Sequence, residues 1–362
     1  MHVVHLSTSR TWRGGEQQIL YLCRGLRELG VEQEIICRSG SDAVERFTGA
    51  GFLCRELPMR GELDFLAARQ ISRICRSTSA NVIHAHTARA HSLGLLCTMF
   101  GRLPLFVSRR VDFPARGNAL SRFKYKSPRI TAYIAISENV KNILIKDGID
   151  PEKIRVAYSG IDPERFRDLP DASDLRQTYA TRSRLVIGNV AALVDHKDQG
   201  TLLRAVALLK SMDVPPFICL IIGSGEREGK LKSLAFQELK LTASEVVFCG
   251  FQKNILPFFA LFDIFVMSSK EEGLGTSVLD AMASGLPVAS TTGGGLPEMV
   301  DDGEGGFLSA VGDPGSLARS LATLLKDPAL RKRQGEYNRK RVQKFHFRQT
   351  AKQTLDIYRE FL

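Results

Sequence analysis

Residues 265–287 read FVMSSKEEGLGTSVLDAMASGLP, which is an apolar strand, a loop with acids and glycines, and a helix-forming run. In a parallel α/β sheet, ligands bind beyond the carboxyl ends of the strands, where helix N-termini also point. The pattern places Glu271 and Glu272 at such an end, and Asp280 about one turn into a helix predicted over 278–284. Loop and helix can therefore bring Glu272 and Asp280 to one ligand.

The residues between these acids suit a close approach to a ligand. Gly273 and Gly275 tolerate a positive φ and let the backbone come near a bound group. Thr276 or Ser277 is expected to cap the helix. Acids near a helix start also fit simple complementarity to the helix dipole and solvation of the surface, so this stretch alone leaves that alternative open.

A second strand-to-helix loop follows at 291–298, TTGGGLPE. The runs EGLGTSVLDAMASGLPV and GGGLPEMV resemble the C-terminal signature of the retaining glycosyltransferases called family 4, or glycosyl transferases group 1. That family has Glu, seven residues and Glu, where this chain has Glu272, seven residues and Asp280. The resemblance implies that Glu272 contacts the donor sugar and that Asp280, one methylene shorter, holds the ribose hydroxyls. Gly275 and Thr276 would line the same donor site.

The resemblance implies an α/β fold of the GT-B type, with two Rossmann-like domains whose parallel sheets face each other across a cleft. A length of 362 residues also favours two domains. Residues 1–165 are predicted to form an acceptor-binding domain and residues 166–344 a nucleotide-sugar-binding domain, with a polar linker over 162–182. Residues 345–362 are expected to form a helix that crosses back to the first domain. The three tail helices predicted over 315–361 carry dense charges and are predicted to be surface helices.

The composition is that of a soluble globular chain, with 44% hydrophobic and 25% charged residues. The N-terminus MHVVHLSTS lacks the basic and long apolar regions of a signal peptide, and no window is apolar enough for a membrane span. A cytoplasmic location is therefore expected. The seven cysteines are scattered without a CxxC pair, so we expect reduced and mostly buried thiols and no disulfide framework or zinc site.

The net charge of +11 indicates an anionic partner. Residues 108–129 carry seven bases and one acid, with aromatic and aliphatic residues interleaved. This pattern suits attachment to anionic lipid headgroups, so one expectation is a peripheral position at the inner face of the cell membrane. The alternative is a solvated basic surface. Nucleic acid is not expected as a partner, because the sequence has no recognised nucleic-acid-binding motif.

The first predicted strand and helix are joined by SRTWRGGEQQ, which places Gly14 and Gly15 immediately before the helix. Backbone N–H groups at such a turn bind anions. The segment lacks the GxGxxG pattern of dinucleotide-binding enzymes, so a nicotinamide enzyme is a weak alternative. The resemblance implies that Gly14 and Gly15 face the donor phosphates.

The segment HAHTARAH contains His84, His86 and His91 after a buried strand. Strand alternation places His84 and His86 on one face, and a metal site with His91 is considered but not favoured. His86 is predicted to orient a reacting hydroxyl group by hydrogen bonding, and the resemblance implies a place in the interdomain cleft. Arg109 and Arg110 follow the next strand, where many relatives have a histidine. We expect them to contact an anionic acceptor or the diphosphate.

The loop AALVDHKDQG supplies a cation in the second half. Lys197 is predicted to neutralise a leaving diphosphate, with an ordinary surface lysine as the alternative. The family pattern has an arginine five residues earlier, where this chain has Ala192. Arg110 or His196 is a candidate to compensate for it.

The resemblance places three further residues of the second half near the donor. Gly223 and Gly225 form another glycine-bearing turn before a helix, and the chain at Phe251 follows a strand where relatives bind the nucleotide base. The residues expected to act in catalysis are Glu272, Lys197 and His86.

The reaction expected from this set is retaining transfer of a sugar from a nucleotide sugar, such as a UDP- or GDP-sugar, to a glycan or lipid-linked acceptor such as lipopolysaccharide. No DxD-like pair is placed to hold a divalent ion, so neither a metal nor another cofactor is expected. The alternatives are a nucleotide-sugar epimerase or a phosphorylase on the same fold, a basic nucleic-acid-binding module, and a nicotinamide oxidoreductase.

Overall fold

The computed structural model describes residues 1–112, 123–179, 181 and 183–362. The described chain divides into two compact units, which we call unit 1 and unit 2. Unit 1 is made of Met1–Ile161 and His346–Leu362, and unit 2 of Asp162–Phe345.

Unit 1 contains a seven-stranded parallel sheet. Its strands are β1 (His2–Ser7), β2 (Glu32–Arg38), β3 (Leu53–Leu57), β4 (Val82–Ala85), β5 (Leu105–Arg109), β6 (Ala132–Ala135) and β7 (Ile154–Val156). Their order in the sheet is β3-β2-β1-β4-β5-β6-β7. The central strands β1 and β4 are buried almost throughout, which is typical of a parallel sheet covered by helices on both faces.

The helices of unit 1 begin where the sequence provides caps. In the described part of the chain that precedes unit 2, these helices are α1 (Gly14–Glu28), α2 (Asp42–Gly49), α3 (Phe65–Ser77), α4 (Ala88–Cys97) and α5 (Glu138–Lys146). A polar side chain accepts a hydrogen bond from the first turn of α2, α3, α4 and α5. These caps are Ser41, Asp64, Thr87 and Ser137. Of the basic segment 108–129, residues 113–122 lie outside the described residues.

Unit 2 contains a six-stranded parallel sheet. Its strands are β8 (Leu185–Val190), β9 (Phe217–Ile222), β10 (Val246–Gly250), β11 (Ile264–Met267), β12 (Val288–Thr291) and β13 (Gly306–Ser309). Their order is β10-β9-β8-β11-β12-β13. The described helices are α6 (Ser173–Thr178), α7 (Gln199–Leu209), α8 (Glu228–Ser233), α9 (Leu256–Leu261), α10 (Thr276–Ala283), α11 (Pro314–Lys326) and α12 (Pro328–Arg341).

The tail helices are not all surface helices, so that prediction is wrong. α11 buries Leu317, Leu321 and Leu324 fully in the core of unit 2. The last helix, α13 (Phe347–Phe361), belongs to unit 1 and packs along α1. There a Cβ at Gly25 would lie 2.5 Å from the Cβ of Ala351, so only glycine permits this approach. The prediction failed because the many charged residues on the outer faces of these helices make the narrow apolar stripe hard to recognise in the sequence.

The start of α10 also differs from the prediction. The helix begins at Thr276, and no side chain caps it, so the prediction that Thr276 or Ser277 is the cap is wrong. Gly275 holds the N-cap position in a left-handed conformation with φ 89°. A Cβ there would lie 3.0 Å from Cγ of Glu272. The glycine therefore lets the acidic loop fold tightly against the helix start.

The cysteines follow the sequence prediction. All seven are free thiols, and Cys23, Cys37, Cys75, Cys97 and Cys219 are buried. Among the described residues, no helix combines the length and the apolar character that a membrane crossing requires.

Candidate active site

The sheet of unit 2 has a topological switch point between β8 and β11. From β8 the chain moves outward to β9 and β10 on one side, and it returns to β11, β12 and β13 on the other. Loops after two such adjacent strands diverge and leave a crevice at their carboxyl ends, which is where α/β proteins bind ligands. Lys197 follows β8 and Glu272 follows β11, so both predicted residues lie at this switch point.

Lys197 and Glu272 form an ion pair between Nζ and Oε2. Only 17% and 11% of the two side chains are exposed, so the charges compensate each other in a largely dehydrated place. The hydroxyl of Ser269 donates a second hydrogen bond, of 3.2 Å, to the same carboxylate oxygen. The structure therefore brings together the two residues that the sequence predicted as the centre of the donor site.

The backbone of the Glu272 loop is fixed by the next loop along the sheet. Thr291 donates from Oγ1 to the carbonyl of Ser269 at 2.5 Å, and the N–H of Gly295 donates to the carbonyl of Glu272 at 2.7 Å. Gly294 has φ 58°, and a Cβ there would lie 2.2 Å from the Glu272 carbonyl oxygen. The TTGGG run therefore holds the backbone of the Glu272 loop in place, and its close approach requires glycine at position 294.

Asp280 lies on α10 and is partly buried. Burial raises the pKa of its carboxyl group to about 7, and the positive charge of Arg165 opposes this rise. Arg165 belongs to a 3₁₀ turn, Pro163–Phe166, that contacts α10. No sequence pattern indicates that Arg165 lies near Asp280, because the two residues are far apart in the chain and share no motif.

Gly223 and Gly225 are required by packing within unit 2. Gly223 has φ 140°, and its Cβ would lie 1.9 Å from the carbonyl oxygen of Ala191. A Cβ on Gly225 would lie 2.3 Å from the carbonyl oxygen of Leu193. The loop after β9 therefore lies directly on the Lys197 loop and supports it. Their predicted contact with a donor stays a prediction.

Phe251 lies beyond the carboxyl end of β10, directly after Gly250, which has φ 67°. Phe251 is 75% exposed, an unusual state for so large an apolar residue. The exposed ring offers a stacking surface at the position where the resemblance places the nucleotide base.

Ala192 stands where the family pattern has an arginine, but the Lys197 loop has other cations nearby. Arg227, from the segment after β9, forms an ion pair with Asp195, and Nζ of Lys270 lies 3.5 Å from Asp198. Sequence analysis missed both, although Arg227 follows the predicted glycine turn directly. These bases lie in loops around the switch point of unit 2.

Unit 1 has its own switch point, between β1 and β4. Gly14 and Gly15 follow β1 and form the first turn of α1, while His86 follows β4. A Cβ on either glycine would meet no atom within 4 Å, and neither glycine has a positive φ. Packing within unit 1 therefore does not require glycine at these positions, unlike at Gly223 and Gly225.

Four polar side chains near this switch point are linked by hydrogen bonds, and we call them the polar chain. Arg110 Nη2 lies 3.3 Å from His86 Nδ1, and His86 Nε2 lies 2.9 Å from His5 Nδ1. His5 Nε2 lies 3.1 Å from Gln33 Oε1. A guanidinium only donates, so His86 accepts at Nδ1 and donates from Nε2 to His5, which in turn donates to Gln33. Both ring nitrogens of His86 thus have protein partners.

The buried histidines of unit 1 are neutral at pH 7. Burial lowers the pKa of His5 to about 4 and holds the pKa of His84 and His86 well below its ordinary value, with the charge of Arg110 acting in the same direction. The ring centroids of His84 and His86 are 4.0 Å apart, which confirms that the two share a face.

These histidines also test the metal hypothesis. Ligand atoms of His5, His84 and His86 lie within 4.8 Å of one another. His84, however, bonds to the Tyr358 hydroxyl at 2.6 Å and to the Ser108 hydroxyl at 2.8 Å. With Arg110 beside His86, the cluster is organised by hydrogen bonds within the protein. His91, the third histidine of the sequence motif, lies elsewhere, against the rings of Tyr125 and Tyr133.

The two predicted arginines lie in different surroundings. Arg110 is near Glu16 and His86, and burial lowers its pKa to about 10 while Glu16 raises it, so it stays charged at pH 7. Arg109 is buried and donates to the hydroxyl of Tyr125 at 2.8 Å. The structure therefore associates Arg110 with the switch point and Arg109 with the aromatic cluster at Tyr125.

Comparison with known proteins identifies the family. The model described as Glycosyl transferases group 1 matches residues 173–341, and the model described as Glycosyltransferase Family 4 matches residues 12–165. The lipopolysaccharide core biosynthesis glycosyltransferase LpsE of Rhizobium meliloti is 30% identical to this chain, over 89% of this chain and 88% of LpsE. The chain belongs to the group 1 glycosyltransferases.

Further comparisons confirm the fold of this glycosyltransferase. The structure of Anabaena HepE in complex with UDP has a TM-score of 0.87 to it at 22% identity, covering 99% of this chain and 100% of HepE. An Escherichia coli UDP-Gal:α-D-GlcNAc-diphosphoundecaprenol α-1,3-galactosyltransferase is 23% identical over 84% of this chain and 81% of its own length. Both units of this glycosyltransferase are Rossmann-like and have parallel sheets, as in the GT-B fold.

Proposed function

We propose that this glycosyltransferase moves a sugar from a nucleotide-sugar donor to a lipid-linked glycan, lipopolysaccharide or other cell-surface polysaccharide, with retention of the anomeric configuration. The observation that carries the proposal is the Lys197–Glu272 ion pair at the switch point of unit 2. The names of the relatives support the acceptor class, because LpsE acts in lipopolysaccharide core biosynthesis and the E. coli relative acts on a diphosphoundecaprenol-linked sugar.

In this proposal, unit 2 binds the donor along the carboxyl ends of its strands. The ring of Phe251 stacks on the base, Asp280 holds the ribose hydroxyls, Lys197 contacts the diphosphate and Glu272 contacts the sugar hydroxyls. A uridine nucleotide is our first choice for the donor, since HepE was solved with UDP and with UDP-glucose. Gly275 and Thr276, at the start of α10, lie beside Glu272.

The reaction breaks the bond between the anomeric carbon and the diphosphate oxygen and forms a bond from that carbon to the acceptor oxygen on the same face. The proton of the acceptor hydroxyl passes to the departing diphosphate oxygen, which lies on that same face. Negative charge grows on the leaving diphosphate, so a preorganised cation lowers the barrier. Lys197 supplies that cation without a metal ion in the proposed mechanism. When the diphosphate takes up Lys197, Glu272 is released to accept hydrogen bonds from the sugar.

Unit 1 would supply the acceptor side and part of the phosphate site. The open first turn of α1 at Gly14 and Gly15 can present N–H groups to an anion, and Arg110 adds a fixed positive charge nearby. His86 has both ring nitrogens occupied, so we assign it the orientation of Arg110 in place of direct contact with a hydroxyl group.

The decisive experiment replaces Glu272 by glutamine, which keeps the shape of the side chain but removes its charge. Transfer from the radiolabelled donor to membrane-extracted lipid-linked acceptor should fall at least a hundredfold, because the interaction with the transition state is lost. The neighbouring exposed residue gives a matched control, Glu271→Gln, which should stay within about threefold of the parent. Normal activity in the Glu272→Gln enzyme would refute the proposed role.

The donor is identified by a separate screen. Nucleotide sugars with uridine, guanosine or adenosine bases are compared for their effect on the thermal unfolding of the protein, since a ligand that binds only the folded state raises the melting temperature. A uridine sugar is expected to give the largest rise. A larger rise with a guanosine or adenosine sugar would change the assigned base and leave the Glu272 experiment unaffected.

A further inference from the structure

The start of α3 exposes three large apolar side chains next to one another. Leu63 is 65% exposed, Phe65 51% and Leu66 73%. Isolated exposed apolar residues are ordinary on a protein surface, but three within four consecutive positions form a patch. The patch lies wholly in unit 1.

The exposed face of α3 that continues from this patch carries basic and uncharged polar side chains and no acid. The helix reads FLAARQISRICRS, with exposed Arg69, Arg73 and Arg76 and no acidic residue. We call these three arginines together with Leu63, Phe65 and Leu66 the α3 surface. The opposite face of the helix packs into unit 1 through Ala67, Ala68 and Ile71, so the α3 surface is the outward side of an amphipathic helix.

The acids nearest to the α3 surface are already engaged. Asp64 caps α3 by accepting from the N–H of Ala67 at 3.0 Å, and it also accepts from the N–H of Arg60 at 2.8 Å. Glu62 accepts from the hydroxyl of Ser92 at 2.7 Å and forms an ion pair of 3.3 Å with Lys124. Both carboxylates are held by these partners, and within the described part of the chain Arg69, Arg73 and Arg76 form no ion pair with an acid.

The surroundings extend the same mixture of apolar and basic groups at both ends of α3. At the far end, Arg76 donates to the carbonyl of Phe100 at 3.2 Å, beside Met99, which is 58% exposed. Met99 also lines a cavity with Arg102 and Arg129. At the near end, Phe123 is exposed next to Lys124, which is held by Glu62.

We propose that the α3 surface attaches this enzyme to an anionic lipid bilayer, with the apolar end inserted among the headgroups and the arginines on lipid phosphates. Arginine stems lie along apolar surface while the guanidinium groups reach polar headgroups, and an amphipathic helix with a basic face is typical of interfacial binding. The charge of the helix favours a lipid surface over a protein partner. The inference rests on the proposed function in one respect, since a lipid-linked acceptor lies in such a membrane.

The test is co-sedimentation of the full-length protein with vesicles of phosphatidylcholine containing about a third phosphatidylglycerol. The double variant Arg69→Gln/Arg73→Gln should lower the partition coefficient roughly 25-fold, at about fivefold for each base lost near the surface. Leu63→Ala/Leu66→Ala should lower it at least tenfold, because less apolar surface is transferred from water. The matched control on α1, Arg24→Gln/Leu29→Ala, removes an exposed base and an exposed leucine of the same unit and should stay within about twofold.

A second measurement does not depend on loss of binding. In a protein whose single native tryptophan, Trp12, is replaced by phenylalanine, the Leu66→Trp variant should show blue-shifted emission on anionic vesicles and quenching by brominated acyl chains. The Leu29→Trp variant should show neither. Equal responses from both variants, or vesicle binding by the α3 variants that matches the parent, would overturn the proposal. The proposal would also be overturned if the parent protein did not bind vesicles and the α3 variants lost self-association.

Donor binding separates this inference from the proposed function. The α3 variants should bind the nucleotide with parent affinity in a calorimetric titration, because they lie outside the proposed donor site. Vesicle binding by a protein that transfers no sugar would leave the α3 surface in place and refute the proposed function. Transfer by a protein that never binds anionic vesicles would refute the α3 surface alone.

Discussion

Replacing Gly15 by alanine separates the ligand-binding role of the first turn of α1 from any structural role. The added methyl group meets no atom within 4 Å, and the backbone does not have a positive φ. Alanine is the better helix former and loses less conformational freedom on folding, so the free energy of unfolding should rise by about 0.5 kcal/mol. In a chain of this size the melting temperature should rise by about 1 °C.

The same change should weaken catalysis if Gly15 faces the donor phosphates. A methyl group at this position prevents close approach of a phosphate oxygen, and the loss of one charge-assisted hydrogen bond costs roughly 1.5–3 kcal/mol. The value of kcat/KM for the nucleotide sugar should therefore fall by about 10-fold to 150-fold. Steady-state kinetics and thermal unfolding are measured on the same preparation of the Gly15→Ala protein.

Gly223→Ala is the contrasting variant. Its methyl group would lie 1.9 Å from the carbonyl oxygen of Ala191, at φ 140°, so the loop must move and the free energy of unfolding should fall by several kcal/mol. Activity should fall in both variants, whereas stability should change in opposite directions. An unchanged kcat/KM in Gly15→Ala would refute the phosphate role of the first turn, and a loss of stability there would refute the argument from open space.

Three further predictions concern single side chains. Burial raises the pKa of Asp280 to about 7, so the folded state binds an extra proton above the unfolded pKa of about 4 and stability falls as pH rises between these values. Asp280→Asn should remove this slope and stabilise the protein at pH 8 by a few kcal/mol, as urea unfolding at several pH values would show. Phe251→Ala should weaken UDP binding by about 1–3 kcal/mol in calorimetry and leave stability almost unchanged, because the ring is 75% exposed. Gln33→Leu should leave the buried Nε2–H of His5 without its acceptor and lower the free energy of unfolding by about 1–3 kcal/mol. Nitrogen NMR should still find both His5 and His86 protonated at Nε2, because Arg110 continues to donate to His86; a change of tautomer would disprove the polar chain.

The sequence predicted the strands and helices, and the proximity of Lys197 to Glu272, because both depend on local patterns. Each buried strand is a short apolar run, and Asp64 and Ser137 are residues of the types that favour the N-cap of a helix. Lys197 and Glu272 were predicted together because each follows a strand within a recognisable loop. That step relied on the family resemblance, since spacing along the chain does not give the order of strands.

The contacts that sequence reasoning missed join distant segments without a motif. Gln33, His5 and His86 come from β2, β1 and the end of β4, which are neighbours only in the folded sheet. Arg165 faces Asp280 because a 3₁₀ turn contacts α10. The arginines of α3 are spaced three or four residues apart among apolar ones, so they form a basic face only in the helix, whereas the bases at 108–129 are dense along the chain itself.

The two switch points differ in net charge, and this difference supports different roles for the two units in binding the substrates. In unit 1, Arg110 and the first turn of α1 present positive charge, and Glu16 only moderates it. In unit 2, Lys197 and Glu272 neutralise each other while both are largely buried.

A buried charge that loses its partner is costly, so a ligand that draws Lys197 away from Glu272 must supply a negative group to the lysine and hydrogen-bond donors to the glutamate. A nucleotide sugar carries both, a diphosphate and sugar hydroxyls, whereas inorganic phosphate carries only the first. Under the proposed function, the ion pair favours complete donors over their fragments, and double-mutant cycles on Lys197→Met and Glu272→Gln would measure that coupling directly.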